Sequence, residues 1–156
     1  MDKLSIYLND HLAGSTAGLE LVKRCRSANE GTSYGPQLAN LAEEFEEDRN
    51  ALQRLIEELG FSRDRVKVGA GWVAEKFGRL KLNGSLTGYS PLSRLIELEG
   101  LFLGVSGKLS MWRNLRAAGI GSRETDLDEL IKRAESQRRR LESLRARAAE
   151  EAFTDD

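Results

Sequence analysis

The residues of this chain that could carry metal chemistry include a single histidine, His11. A carboxylate-bridged di-metal centre in a helical bundle takes one glutamate from each of two helices and a Glu-x-x-His pair from each of the other two. No glutamate stands three residues before His11, and the 156 residues contain no other imidazole. The usual di-iron ligand set therefore cannot be assembled.

The acidic residues offer an alternative, a site built from carboxylates. A run of acids over residues 43–48 is typical of a solvated helix face, although it would also attract a cation. The ligands of an unusual iron or manganese site, if there is one, would be Asp48, Glu99, Glu44, Glu47 and His11. We expect no metal and no cofactor, and such a carboxylate site is the alternative.

Motifs for other reactions are missing from the sequence. Cys25 is the only cysteine, and it is interpreted as a small buried hydrophobic residue. There is no nucleophilic triad signature, P-loop, Cys-x-x-Cys pair or dinucleotide-binding glycine motif. The sequence does not settle whether the protein is an enzyme, but it favours a non-enzyme with no catalytic residues.

Several polar residues interrupt otherwise apolar helical stripes and predict a buried polar layer: Ser15, Asp48, Arg49, Glu99, Gln137 and Arg138. A buried carboxylate costs several kcal/mol unless it is paired. We therefore expect Arg138 or Arg49, paired with Glu99 and Asp48, to supply the positive charge that a metal would provide. The alternative is that these residues lie at the flanks of their helices and contact water.

The elements that must position these residues are helices. Apolar residues recur at spacings of three and four, which predicts five helices in one domain over residues 1–156: about 3–28, 36–59, 64–82, 91–118 and 126–150. Pro36 and Pro91 suit the first turns of their helices, and Gly60 suits a helix end. The predicted fold is an all-α, antiparallel four-helix bundle of two hairpins, joined by a long crossover that contains the shorter fifth helix.

Two stretches, Leu8–Ala17 and Glu44–Leu52, together with Leu98-Glu99, resemble the ferritin-like superfamily of bacterioferritin-like and rubrerythrin-like bundles. The resemblance implies ligand positions near Ser15, Phe45, Asp48, Glu99, Ala134 and Gln137, of which only Glu99 keeps the family's acid. It therefore implies a ferritin-like bundle with a degenerate metal site.

The crossover is basic and amphipathic, and it carries a candidate membrane or partner face: Lys67, Trp72, Lys76, Phe77, Arg79 and Lys81. Such a helix can lie on an anionic membrane. The favoured interpretation is that its apolar side covers the bundle. Glycines at 100, 104 and 107 permit close approach of another helix, either from this chain or from a second subunit.

Composition narrows the function classes. The formal net charge is −1, so the chain has no net positive charge that would attract nucleic acid. One cysteine and the lack of a signal-like N-terminus favour the cytoplasm. We therefore expect a non-enzymatic ferritin-like bundle, acting through protein or ligand contacts, that forms a homodimer or binds a protein partner. The alternatives are a metal-binding oxidative-stress protein and a membrane-surface stress protein.

Overall fold

The computed structural model describes residues 2–62 and 88–154. These residues form four helices and no strand: α1 (Lys3–Ala28), α2 (Gly35–Glu58), α3 (Pro91–Ala117) and α4 (Leu127–Thr154). The predicted all-α class is confirmed, and helix α4 continues four residues beyond its predicted end. The predicted helix over 64–82, with its basic face, lies outside the described residues.

Local sequence signals explain where the helices begin. The Asp2 carboxylate accepts the Leu4 N–H at the start of α1. Ser90 and Ser93 cap α3 reciprocally, each hydroxyl accepting the other's backbone N–H. At α4 the Asp126 carboxylate accepts the Glu129 N–H. Such caps satisfy N–H groups that have no partner within the helix.

Contacts between neighbouring helices and the residues that flank them, such as Ser62 just after α2, define the topology. Residue numbers rise on one helix as they fall on its neighbour, so each neighbouring pair is antiparallel. The pairs are Asn9–Ser62 and Thr16–Arg49 for α1 and α2, Tyr7–Asn114 and Arg24–Glu97 for α1 and α3, Arg94–Glu151 and Arg116–Asp128 for α3 and α4, and Glu44–Arg140 and Asp48–Arg133 for α2 and α4. Helices α2 and α3 therefore run in the same direction.

This arrangement fixes where the connection between the two hairpins begins and ends. Ser62 accepts a hydrogen bond from Asn9, near the first turns of α1. Tyr89 accepts one from Asn29, just after the last turn of α1. The chain therefore leaves the described structure at one end of the bundle and re-enters it at the other end.

The buried apolar residues of the described chain form two clusters. The first contains Phe45, Val105 and Leu141, and it extends toward the end of the bundle at which α3 begins. The second contains Ala51, Leu109 and Ala134, and it extends toward the other end. Residues between these two sets occupy the middle of the bundle, and that level is where the buried charges lie.

A second buried polar group lies at the end of the bundle, around Asn29, whose side chain is fully buried. Its amide nitrogen donates to the Cys25 carbonyl and to the Tyr89 hydroxyl, both at 2.7 Å. Its amide oxygen accepts from Arg94 Nε at 2.6 Å. Burial raises the pKa of the neighbouring Cys25 thiol to about 12, so the thiol stays protonated at neutral pH.

Candidate functional site

Asp48 is the centre of the mid-bundle polar layer. Its side chain is 3% exposed, and both carboxylate oxygens accept hydrogen bonds from other helices. Oδ2 accepts from Lys108 Nζ at 2.7 Å and from Gln137 Nε2 at 2.9 Å. Oδ1 accepts from Arg133 Nε at 2.7 Å and lies 2.6 Å from Arg133 Nη2. Donors from α3 and α4 therefore surround the carboxylate, which offsets the cost of burying it.

Lys108 supplies the most deeply buried positive charge of the layer. Its side chain is 10% exposed. Nζ donates to Asp48 and, at 2.6 Å, to Gln137 Oε1, and it lies 4.3 Å from the centre of the Phe45 ring. Burial lowers the pKa of Lys108, because a low-polarity environment penalises the ammonium form. The Asp48 carboxylate opposes this effect, and the Arg133 guanidinium adds to it.

Gln137 closes the network because an amide is both a donor and an acceptor. Its nitrogen donates to Asp48 while its oxygen accepts from Lys108. Neither a glutamate nor a leucine would satisfy both partners at once. The fully buried Gln137 side chain therefore orients the charged pair.

Arg133 joins the buried layer to the surface. Its side chain is 21% exposed, and its Nη1 donates to the Glu47 carboxylate at 2.9 Å while its other nitrogens bind Asp48. About two turns further along α4, Arg140 pairs with Glu44 at 2.7 Å. Carboxylates on α2 thus meet arginines on α4, and the two buried or half-buried cations of the layer are balanced by Asp48 and Glu47.

The structure brings together only part of the predicted polar layer. Asp48 and Gln137 are buried and in contact. Ser15 is half-buried on α1 at the same level. Arg49 is also half-buried, but its guanidinium donates to Thr16 Oγ1 and Gln53 Oε1 instead of a carboxylate. The predicted Arg49–Asp48 pair is therefore wrong.

The prediction was also wrong for Glu99 and Arg138, which are both exposed. Each follows a fully buried residue, Leu98 or Gln137, and one residue along a helix rotates the side chain by about 100°. The Arg138 guanidinium instead lies 5.3 Å over the Phe102 ring. No buried Arg138–Glu99 pair forms.

Sequence reasoning missed Lys108 and Arg133. A signal for Lys108 was present, because it lies three residues after Val105 and four before Trp112, both buried. A lone lysine at core spacing indicates a buried partner. Arg133 had a weaker signal, since it lies four residues before Gln137 and so on the same side of α4.

The ligands of the alternative carboxylate site do not come together as a metal site. Among residues 2–62 and 88–154, no cluster of three or more His, Cys, Asp or Glu side chains could hold a metal ion. Asp48, Glu44 and Glu47 bind lysine or arginine, and Glu99 is exposed. The His11 ring packs edge-on against Tyr7 at 4.6 Å, and burial lowers its pKa. These donor groups do not fit a di-metal centre.

A groove of about 470 Å³ between α1 and α3 leads to the polar layer. Glycines form much of its walls, and a Cβ atom added at Gly14, Gly18, Gly104 or Gly107 would meet nothing within 4 Å. The buried pair Asp48 and Lys108 lines its inner part together with Phe45, while His11 and Ser15 line it from α1. The charged pair is therefore the polar end of a largely apolar groove.

None of the helices in the described part of the chain is long and apolar enough to cross a membrane. Comparisons of the chain with protein-family models, curated proteins and solved structures found no match.

Proposed function

We propose that this chain is a ferritin-like four-helix bundle in which an ion-pair network takes the place of a di-metal centre, and that it acts by binding a ligand or protein without metal chemistry. The Asp48–Lys108 pair is the observation that carries this proposal. Lys108 Nζ lies 2.7 Å from the Asp48 carboxylate at mid-bundle, where a metal would otherwise neutralise it.

The fold supports the assignment through its connectivity. Two antiparallel hairpins whose second and third helices run in the same direction need one long connection, as ferritin-like bundles have. The residues at mid-bundle support the absence of metal chemistry, because Lys108, Arg133 and Gln137 use both Asp48 oxygens as acceptors. A metal at Asp48 would have to displace a lysine and an arginine.

Metal analysis tests the proposal directly. We expect protein purified without a histidine tag to contain far less than one iron or manganese per chain. We also expect added Fe²⁺ or Mn²⁺ to leave the thermal unfolding midpoint unchanged, since a ligand that binds the folded state would raise it. Stoichiometric metal that is lost in Asp48→Asn and retained in Glu46→Gln, an exposed acid on the same helix, would contradict it.

A further inference from the structure

Lys108 and the groove beside it have a property that the structural role of the ion pair does not require. The lysine is nine-tenths buried, yet it lines a groove of about 470 Å³ that reaches the surface beside the exposed Leu103. Grooves of roughly 300–1,000 Å³ with apolar walls and few polar groups are typical of small-molecule sites. We propose that this groove binds an apolar aldehyde and that Lys108 holds it as an iminium adduct.

The charges around Lys108 select the ligand class. A carboxylate ligand would place a second anion against Asp48, whose oxygens already accept from Lys108, Arg133 and Gln137. Like charges in one buried site disfavour each other. An aldehyde is neutral when it enters, and the iminium formed from it keeps the positive charge beside Asp48. The ion pair is therefore preserved when the adduct forms.

The reaction balances without any further reagent. The Lys108 ammonium first releases a proton to solvent through the open groove, while Asp48 stays ionised beside Arg133, and a solvent proton later returns to the departing oxygen. The free amine then attacks the carbonyl carbon, a C–N bond forms, and the carbonyl electron pair moves to oxygen. Loss of water from this carbinolamine leaves a C=N bond. In total, the nitrogen loses two protons and the carbonyl oxygen gains two, and ammonium plus aldehyde gives iminium plus water.

The surroundings favour the first of these steps. At pH 7, roughly one in 3,000 amines is unprotonated for a lysine of ordinary pKa near 10.5, and each unit by which that pKa falls raises this fraction tenfold. Burial lowers the pKa of Lys108. Arg133 stays bound to Oδ1 of Asp48, so Asp48 keeps a cationic partner when Lys108 is neutral. The groove walls, which include Phe45, Leu101 and Val105, suit an apolar chain.

The experiment is reductive trapping of the full chain with octanal and sodium cyanoborohydride at pH 7, read by peptide mass spectrometry. We expect Lys108 to gain the octyl group at least about tenfold faster than the exposed Lys23 and Lys132, because the groove holds the aldehyde beside an amine whose pKa is lowered by burial. In urea, where the chain is unfolded, we expect this difference to disappear. Labelling of folded Lys108 that is no faster than that of Lys23 and Lys132 would overturn the inference.

Gly104→Leu is the matched variant, because its added side chain enters open space in the groove. We expect it to reduce Lys108 labelling at least about tenfold and to leave Lys23 and Lys132 unchanged. Unchanged Lys108 labelling would refute the groove as the binding site. The inference rests on the proposed metal-free layer, but the two fail separately. Stoichiometric metal contradicts the proposed function, whereas metal-free protein with an unreactive Lys108 contradicts only the adduct.

Discussion

The two buried polar networks of this bundle both provide hydrogen-bond partners for polar groups in the core, but they use different chemistry. At the end of the bundle, Asn29 is a neutral amide, and its partners are a backbone carbonyl, a tyrosine hydroxyl and an arginine. At mid-bundle, Asp48 and Lys108 are opposite charges drawn from α2 and α3. Both Asn29 and Asp48 have hydrogen-bond partners, but only the second network places a full negative and a full positive charge in the core.

The difference indicates what each network does. A network such as that of Asn29 can be explained by structure alone, since it fixes the loop after α1 against the first turns of α3. A buried ion pair is often no more stable than apolar residues of similar volume. The Asp48–Lys108 pair therefore calls for a functional explanation more strongly than Asn29 does, and its position beside the groove provides one.

The largest expected effect is at Asp48. Asp48→Asn keeps the shape of the side chain but leaves the buried Lys108 without a charged partner, so we expect the free energy of unfolding to fall by about 3–5 kcal/mol. Urea unfolding followed by circular dichroism measures this loss. Glu46→Gln, an exposed neighbour on α2, should change stability by less than about 0.5 kcal/mol. Equal losses in the two variants would show that Asp48 is not the charge centre of the layer.

A smaller loss is expected at the Asn29 network, whose central group is a neutral amide. Asn29→Ala removes an amide that bonds Cys25, Tyr89 and Arg94, and we expect it to cost about 1–3 kcal/mol in the same urea assay. Asn40→Ala on the exposed side of α2 is the control. If Asn29→Ala proved more harmful than Asp48→Asn, the contrast between a neutral and a charged central group would be wrong.

The pH dependence gives the smallest and most specific effect. Because the pKa of Lys108 is lower in the folded protein, the unfolded chain binds more protons between that value and about 10.5. Stability of the wild type relative to Lys108→Met should therefore rise with pH across this window. Urea unfolding of both proteins at several pH values from 7 to 10 measures the difference. A relative stability that falls with pH would show that ion pairing, not burial, dominates at Lys108.

Much of the fold was predictable because helical periodicity is a local property. The apolar stripes located α1, α2 and α3 to within a residue at each end, with Pro36 and Pro91 in their first turns. At α4 the helix continues to Thr154, past its predicted end at residue 150, and Ala148 is fully buried. The hydrogen bond from Thr154 Oγ1 to the Glu150 carbonyl lies in this last turn.

The site was predictable only in part, because pairing across a bundle depends on helix rotation. Asp48 and Gln137 interrupt apolar stripes, so their level could be found from spacing. The spacing does not show which cation pairs with them, because Gln137 and Arg138 are adjacent in sequence but only Gln137 faces the core. Lys108 reaches Asp48 from α3, 60 residues away. Its partner depends on how two helices with no local connection are rotated.

The most direct test of the central claim is a double-mutant cycle between Asp48 and Lys108. It compares the unfolding free energies of the wild type, Asp48→Asn, Lys108→Met and the double variant at pH 7 in urea. If Lys108 provides the compensating charge, the double variant should be less destabilised than the sum of the single variants, by about 0.5–3 kcal/mol. Single losses that add to within about 0.3 kcal/mol would contradict the account.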